Sequence, residues 1–337
     1  MGDPKALSTV FYLGATGYIG GAVLAELVKT HPELKVTALV RNPSHVKAIR
    51  DLGVEVVEGS FSDTDLISSR VRAADITVNS ADSDDTALNE AILAGQRARV
   101  VDDGKLPAVL LHTSGVAVFV DGGKEGKHDP NSKFWNDANE ADIRSITPQM
   151  LHGQVDAPIL KAAEEGFTES YIICPAAVVG PSTGPVPSSS VFFKFMVQLV
   201  LAFKKAVYVG EGENIFYTVR LDDLVDLYKR VFARILSRAD ANASPYSRYY
   251  IGVSTPDPWK HILTVFGATL ARNGKLEDAT AQSIPLSVIP PPASLFFGAS
   301  QHVRGERAKN LGWEARPVVL EDWADEGITA ALASLQK

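Results

Sequence analysis

Three sets of residues in this chain have the types and spacing to do chemistry. Gly14, Gly17 and Gly20 form a Gly-x-x-Gly-x-x-Gly turn between an apolar run, Thr9 to Leu13, and a helical pattern from Tyr18 towards Thr30. A strand, turn and helix in that order leave unpaired backbone N–H groups and the positive end of the helix dipole open to an anion. Gly14 permits the tight turn, Gly17 leaves room for a phosphate, and Gly20 lets helix pack on strand. Thr16, Tyr18 and Ile19 share this turn and complete the expected diphosphate site. The spacing differs by one residue at the front from the Gly-x-Gly-x-x-Gly dinucleotide fingerprint.

A second set sits at strand ends. The second apolar run closes on Val40-Arg41-Asn42-Pro43, about 20 residues beyond Gly20, where an NAD site usually has an acidic residue on the ribose 2′-hydroxyl. Arg41 instead offers a guanidinium suited to a 2′-phosphate and to stacking on adenine, so NADP(H) is the expected cofactor. Ser60 and Phe61 end the next strand, Phe61 placed to flank adenine, and Ser80 and Ala81 are small enough to let a cofactor cross the sheet. The third set is the acid–base one. His152 and Asp156 stand four apart, on one face of an expected helix Leu151 to Glu165, where a carboxylate steadies an imidazole. Thr113 and Ser114 end a strand over the same crevice and supply hydroxyls.

The elements that must hold these residues alternate. Strands are expected at Lys35 to Val40, Val54 to Glu58, Asp75 to Asn79, Pro107 to His112 and Tyr171 to Cys174. Helices are expected at Pro43 to Asp51, at Asp63 to Ala73 with Asp63 as its cap, and at Asp84 to Val101. This pattern predicts an α/β fold, a doubly wound parallel sheet of the Rossmann kind, with a smaller mixed C-terminal substrate-binding part. Residues 1–180 form the dinucleotide domain and 181–337 the substrate part, with about 207–255 returning to the first core.

Bulk properties narrow the function. The net charge of −7 argues against nucleic acid or an anionic membrane as partner. The single cysteine, Cys174, excludes an internal disulfide framework and reads as a buried thiol. An N-terminus with Asp3 and Lys5 that runs into a strand lacks the apolar core of a signal peptide, so a cytoplasmic protein is expected.

Gly14-Ala15-Thr16-Gly17-Tyr18-Ile19-Gly20, Leu110-Leu111-His112-Thr113-Ser114-Gly115 and Ile172-Ile173-Cys174-Pro175-Ala176-Ala177-Val178-Val179-Gly180-Pro181 resemble motifs of the extended and atypical short-chain dehydrogenases/reductases. Gly210-Glu211-Gly212, Thr218-Val219-Arg220-Leu221-Asp222-Asp223-Leu224 and Arg307-Ala308-Lys309-Asn310-Leu311-Gly312-Trp313 are similar to that family's later segments, so the likeness runs from about Val10 to Leu332. Epimerase/dehydratase-like and NmrA-like proteins are the relatives it implies, with Pro175 and Val178 against the cofactor and a helical homodimer contact. The chain departs from the family at its chemistry. There is no Tyr-x-x-x-Lys between Gly115 and Tyr171; the matching positions read His152-Gly153-Gln154-Val155-Asp156, and Gly115 stands at the usual hydroxyl position.

In the second half, Val191 to Phe203 reads as a helix whose Phe192, Phe193, Phe195 and Met196 line an apolar pocket or a subunit contact. Further helices are expected from Val219 to Phe232, capped by Asp222 or Asp223, and from Trp259 to Arg272, Gly305 to Leu311 and Leu320 to Leu335. Ile284 to Phe297, rich in proline at 285, 290, 291 and 292, reads as an irregular lid. The function expected is an NADP(H)-dependent reductase or dehydrogenase of a small, fairly apolar carbonyl or alcohol, hydrophobic or aromatic. The alternatives are a non-catalytic NADP(H) sensor and a sugar-nucleotide epimerase/dehydratase-like enzyme. Arg41→Glu is expected to weaken NADPH binding far more than NADH binding by calorimetry; equal losses would refute the assignment of Arg41 to a 2′-phosphate.

Overall fold

The computed structural model describes residues 7–123, 125–290 and 293–336. Asp3, Lys5, Pro291 and Pro292 lie outside the described residues. The first part of the chain runs β1 (Thr9–Leu13), α1 (Tyr18–Thr30), β2 (Lys35–Val40), α2 (Val46–Arg50), β3 (Glu55–Glu58) and α3 (Thr64–Ala73). It continues with β4 (Ile76–Asn79), α4 (Thr86–Val101), β5 (Ala108–Thr113), β6 (Trp135–Asn136), α5 (Glu140–Arg144), α6 (Gly153–Glu164) and β7 (Thr168–Pro175). Then come β8 (Ala177–Val179), α7 (Val191–Phe203), β9 (Val207–Val209), β10 (Ile215–Arg220), α8 (Leu221–Leu236), β11 (Tyr249–Gly252), β12 (Thr255–Pro258) and α9 (Trp259–Arg272). The last elements are β13 (Gln282–Ile284), α10 (Ala293–Phe297), β14 (Val303–Arg304), α11 (Glu306–Asn310) and α12 (Leu320–Ser334).

Seven strands form one parallel sheet in the order β11-β7-β5-β4-β1-β2-β3. Helices cover both of its faces, which is why β4 and β7 are buried along their whole length, polar positions such as Thr77 and Ser170 included. Strand order reverses between β1 and β4, and that reversal opens the ligand crevice at the carboxyl ends. Gly14 closes the gap there. Its φ is +90°, and a Cβ on it would lie 2.2 Å from the Ser80 carbonyl oxygen at the end of β4. Gly20 packs beneath this turn, with Tyr12 donating a 2.7 Å hydrogen bond to its carbonyl.

The expected doubly wound architecture is the one observed, with several local differences. Asp63 does not cap α3; its carboxylate turns back to accept from the Ser60 N–H at 2.6 Å, because the Gly59–Asp63 turn places that donor nearer than the helix start. The cap on α4 is Asp85, accepting from Leu88 N–H at 2.9 Å. Val219 and Arg220 end strand β10 rather than begin a helix, because they pair with Val178 and Val179. Neither Asp222 nor Asp223 caps α8; the Asp223 carboxylate is taken by the Arg316 backbone N–H and guanidinium. The stretch Ile284 to Phe297 is more ordered than expected, containing a 3-10 turn and α10.

A second apolar core gathers α7, α9 and α12 around Phe193, Met196, Trp259, Phe266 and Ile328. The first core contains the sheet and also Val219 to Phe232 and Tyr249 to Ile251 from the later chain. The two cores meet where β8 leaves β7 and pairs with β10. Gly14→Ala is expected to cost about 2 kcal/mol or more in stability, through both the positive φ and the contact with Ser80, measured by chemical denaturation.

Candidate active site

The α1 end of the crevice is a cradle for an anion. Gly17 precedes the helix with no side-chain cap, and the first turn has no acidic residue. The leading N–H groups of a helix have no partners within it, and Thr16, Gly17, Tyr18 and Ile19 all line a cavity of about 1150 Å³. Tyr18 is fixed by donating to the Gly180 carbonyl at 2.6 Å. These features fit a dinucleotide diphosphate. At the same end the Arg41 guanidinium lies 4.3 Å above the centre of the Phe61 ring, both beside the cavity. Ser60 and Gly20 do not reach the cavity wall; Ser60 is used in the Asp63 turn and Gly20 in packing against Gly14.

Across the sheet the hydroxyls form a chain. Ser80 Oγ is 2.7 Å from Thr113 Oγ1, which is 2.5 Å from the hydroxyl of Tyr228 on α8. Ser80, Ala81, Thr113, Ser114, Pro175 and Val178 line the cavity. Burial of Tyr228 holds its phenol well above its ordinary range, so this chain carries hydrogen bonds rather than charge.

His152 is not on the face of a helix. It precedes α6 in a left-handed conformation, φ 59°, and its carbonyl accepts from Val155 and Asp156. That turn swings the ring away from Asp156, so the expected His152–Asp156 pair does not form. His152 Nδ1 lies instead 2.9 Å from Asp84 Oδ1 and 3.2 Å from Ser83 Oγ. Burial alone would lower the imidazole pKa, but the Asp84 hydrogen bond and charge outweigh it and raise it above 6.5. The hydrogen bond from His152 correspondingly lowers Asp84, against the opposing effect of burial. Nε2 has no hydrogen-bond partner among the described residues, and His152 lines the cavity. A Cβ on Gly115 would come within 3.0 Å of this atom. The glycine at the usual hydroxyl position is therefore what makes room for the imidazole.

Asp156 is fully buried beneath the site. Its Oδ2 accepts from Ser114 Oγ at 2.7 Å and from the Tyr249 hydroxyl at 2.8 Å. Burial, only partly offset by these bonds, pushes its pKa up to about 6. His112, as expected, is strand packing: burial pushes its pKa down to about 3, and its Nδ1 is 3.2 Å from the Asn79 amide. The 3.6 Å between His112 Nε2 and Asp156 Oδ1 is too long for a hydrogen bond, and neither atom has another partner among the described residues. Cys174 is buried in the same layer, and burial pushes its thiol upward, away from thiolate chemistry.

The far wall of the cavity is aromatic. Phe192, Phe195, Phe216 and Phe296 line it with Lys194, Ala293 and Gln301. Phe193 and Met196 face the second core instead, because helical periodicity places them with Val197 and Val200. Sequence reasoning missed Asp84, Phe216, Phe296 and Gln301. Asp84 had one available signal: like Ser80, it follows the end of a sheet strand at the crevice.

Residues 14–142 match the NAD(P)H-binding family. The chain is similar to the oxidase ucsJ of an Acremonium species, 24% identical over 90% of this chain and 92% of that protein. Among solved structures it is similar to the PbgP3 protein of Burkholderia pseudomallei, with a TM-score of 0.64, 13% identity and 97% of both chains covered. UDP-glucose 4-epimerase of Thermotoga maritima follows at a TM-score of 0.61 and 14% identity, covering 97% of this chain and 99% of that one. Over nearly its whole length the protein thus shares the fold of these two solved structures, and residues 14–142 match an NAD(P)H-binding family model.

Proposed function

We propose that the protein is an NADP(H)-dependent oxidoreductase that interconverts a fairly apolar, hydrophobic or aromatic carbonyl compound and its alcohol. One observation carries this reading: a single cavity joins the glycine turn and Arg41 to an imidazole beside an aromatic wall. Its volume, about 1150 Å³, exceeds the roughly 300–1000 Å³ of a site for one small ligand. The Acremonium relative is named an oxidase, which agrees with redox chemistry.

Thr16, Gly17, Tyr18 and Ile19 would hold the diphosphate, and Arg41 with Phe61 the phosphorylated adenosine. Ser80, Ala81, Thr113, Pro175 and Val178 would bound the nicotinamide half. When bound, NADPH supplies the hydride that reaches the carbonyl carbon. The proton for the carbonyl oxygen comes from His152 Nε2, with Asp84 holding Nδ1–H and favouring the imidazolium. This dyad takes the proton-transfer role that tyrosine has in the family the chain resembles. Ser114 spends its proton on Asp156 and positions the floor of the site, while Thr113 steadies Ser80.

Substrate-dependent NADPH oxidation over a panel of aromatic and aliphatic carbonyls tests the reading. His152→Gln is expected to lower kcat/KM by about 100-fold or more with NADPH affinity unchanged. Tight NADPH binding with no turnover of any compound would instead favour the non-catalytic sensor. The pH dependence supplies a second test. In the reductive direction kcat/KM falls as pH rises through the His152 pKa, which Asp84 raises above 6.5. Asp84→Asn is expected to move that limb to lower pH, with the same shift in the His152 titration followed by NMR.

A further inference from the structure

Gln301 stands outside the proton-transfer machinery. It lies between α10 and β14, is 2% exposed, and its backbone N–H donates to the Ile215 carbonyl at 2.9 Å. Its side-chain Oε1 accepts from the Tyr217 N–H at 2.8 Å. A backbone N–H can only donate, so this bond fixes which way the amide points. The Nε2 group then has two donor hydrogens and, among the described residues, no acceptor. Gln301 nonetheless lines the cavity, in the company of Phe216, Phe296, Phe192 and Phe195. Phe216 and Phe296 meet edge to face at 5.0 Å beside it. With no protein acceptor and Gln301 in the cavity wall, Nε2 opens on the cavity, and a ligand oxygen that meets it takes the place of water there.

We infer that the Gln301 side-chain amide is a specificity-determining group, donating to a second, uncharged oxygen of an aromatic substrate. The oxygen is a ketone, quinone or ether oxygen remote from the reacting carbonyl. This inference rests on the carbonyl oxidoreductase reading and names its substrate class: an oxygenated aromatic carbonyl compound. The amide is neutral and four phenyl rings share its wall with a single cation, Lys194, so the amide itself fits a polar, uncharged acceptor on a flat apolar frame.

The test is calorimetric binding of two ketones, 2-acetylnaphthalene and 2-acetyl-6-methoxynaphthalene, to the protein saturated with NADP+, where no hydride is available and turnover is not needed. The wild-type protein is expected to bind the methoxy compound about tenfold more tightly. Gln301→Glu keeps an acceptor for Tyr217 N–H, and so the fold, while replacing the free donor by an acceptor; it is expected to abolish the preference. Gln301→Leu, checked for folding by a thermal melt, is expected to do the same. Equal or weak binding of both ketones by the wild type, or an unchanged ratio in Gln301→Glu, overturns the inference. NADP+ affinity is read in the first step, so failure of the cofactor reading is seen separately. In that event the ketones are titrated into the cofactor-free protein, whose cavity presents the same amide.

Discussion

The close approach of the first glycine turn to the end of β4 is the constraint on which the rest of the molecule depends. Gly14 occupies the point where the strand order reverses, pressed against the Ser80 carbonyl with no room for a side chain. That contact sets how α1 leaves the sheet, and with it the direction in which the helix presents its unpaired N–H groups. It also draws Ser80 into line with Thr113 and Tyr228, so the glycine-turn end of the cavity and its Thr113 side share one floor of hydroxyls.

Beneath the Thr113 and Ser114 side of the cavity lies a buried polar layer. Asp156 is fully buried with a pKa pushed up to about 6, held by Ser114 and Tyr249 from two different elements. A carboxyl group whose folded pKa is raised is protonated in the native state where the unfolded chain has already ionised. Its contribution to stability is therefore fully present below about pH 4 and declines as pH rises through about 6. The layer is a fixed floor, and the hydrogen-bonded His152 and Asp84 are not part of it.

Much of the sheet was legible because buried parallel strands announce themselves as apolar runs and the covering helices as a different period. The strand Lys35–Val40 and the helices Tyr18–Thr30 and Trp259–Arg272 have the expected bounds. The pair β6 and β14 was not legible, since two residues on each side show no periodicity and their partners are separated by most of the second half of the chain. Asp63 misled because a carboxylate before a helix has two nearby donors, and only the turn geometry decides between them. His152 misled for a related reason: spacing of four implies a shared helix face only if both residues are helical, and His152 is in a left-handed turn.

By itself the sequence determined the alternation of strands and helices, the glycine turn and the basic rather than acidic residue after β2. These are local properties, written in periodicity, in backbone freedom at glycine and in side-chain charge. Tertiary structure alone decided which carboxylate the imidazole meets and which aromatic rings form the far wall. Asp84 and His152 are 68 positions apart, and Gln301 and Tyr217 are 84 apart. Contacts over such distances depend on how whole elements pack against one another, and no short stretch of residues carries that information.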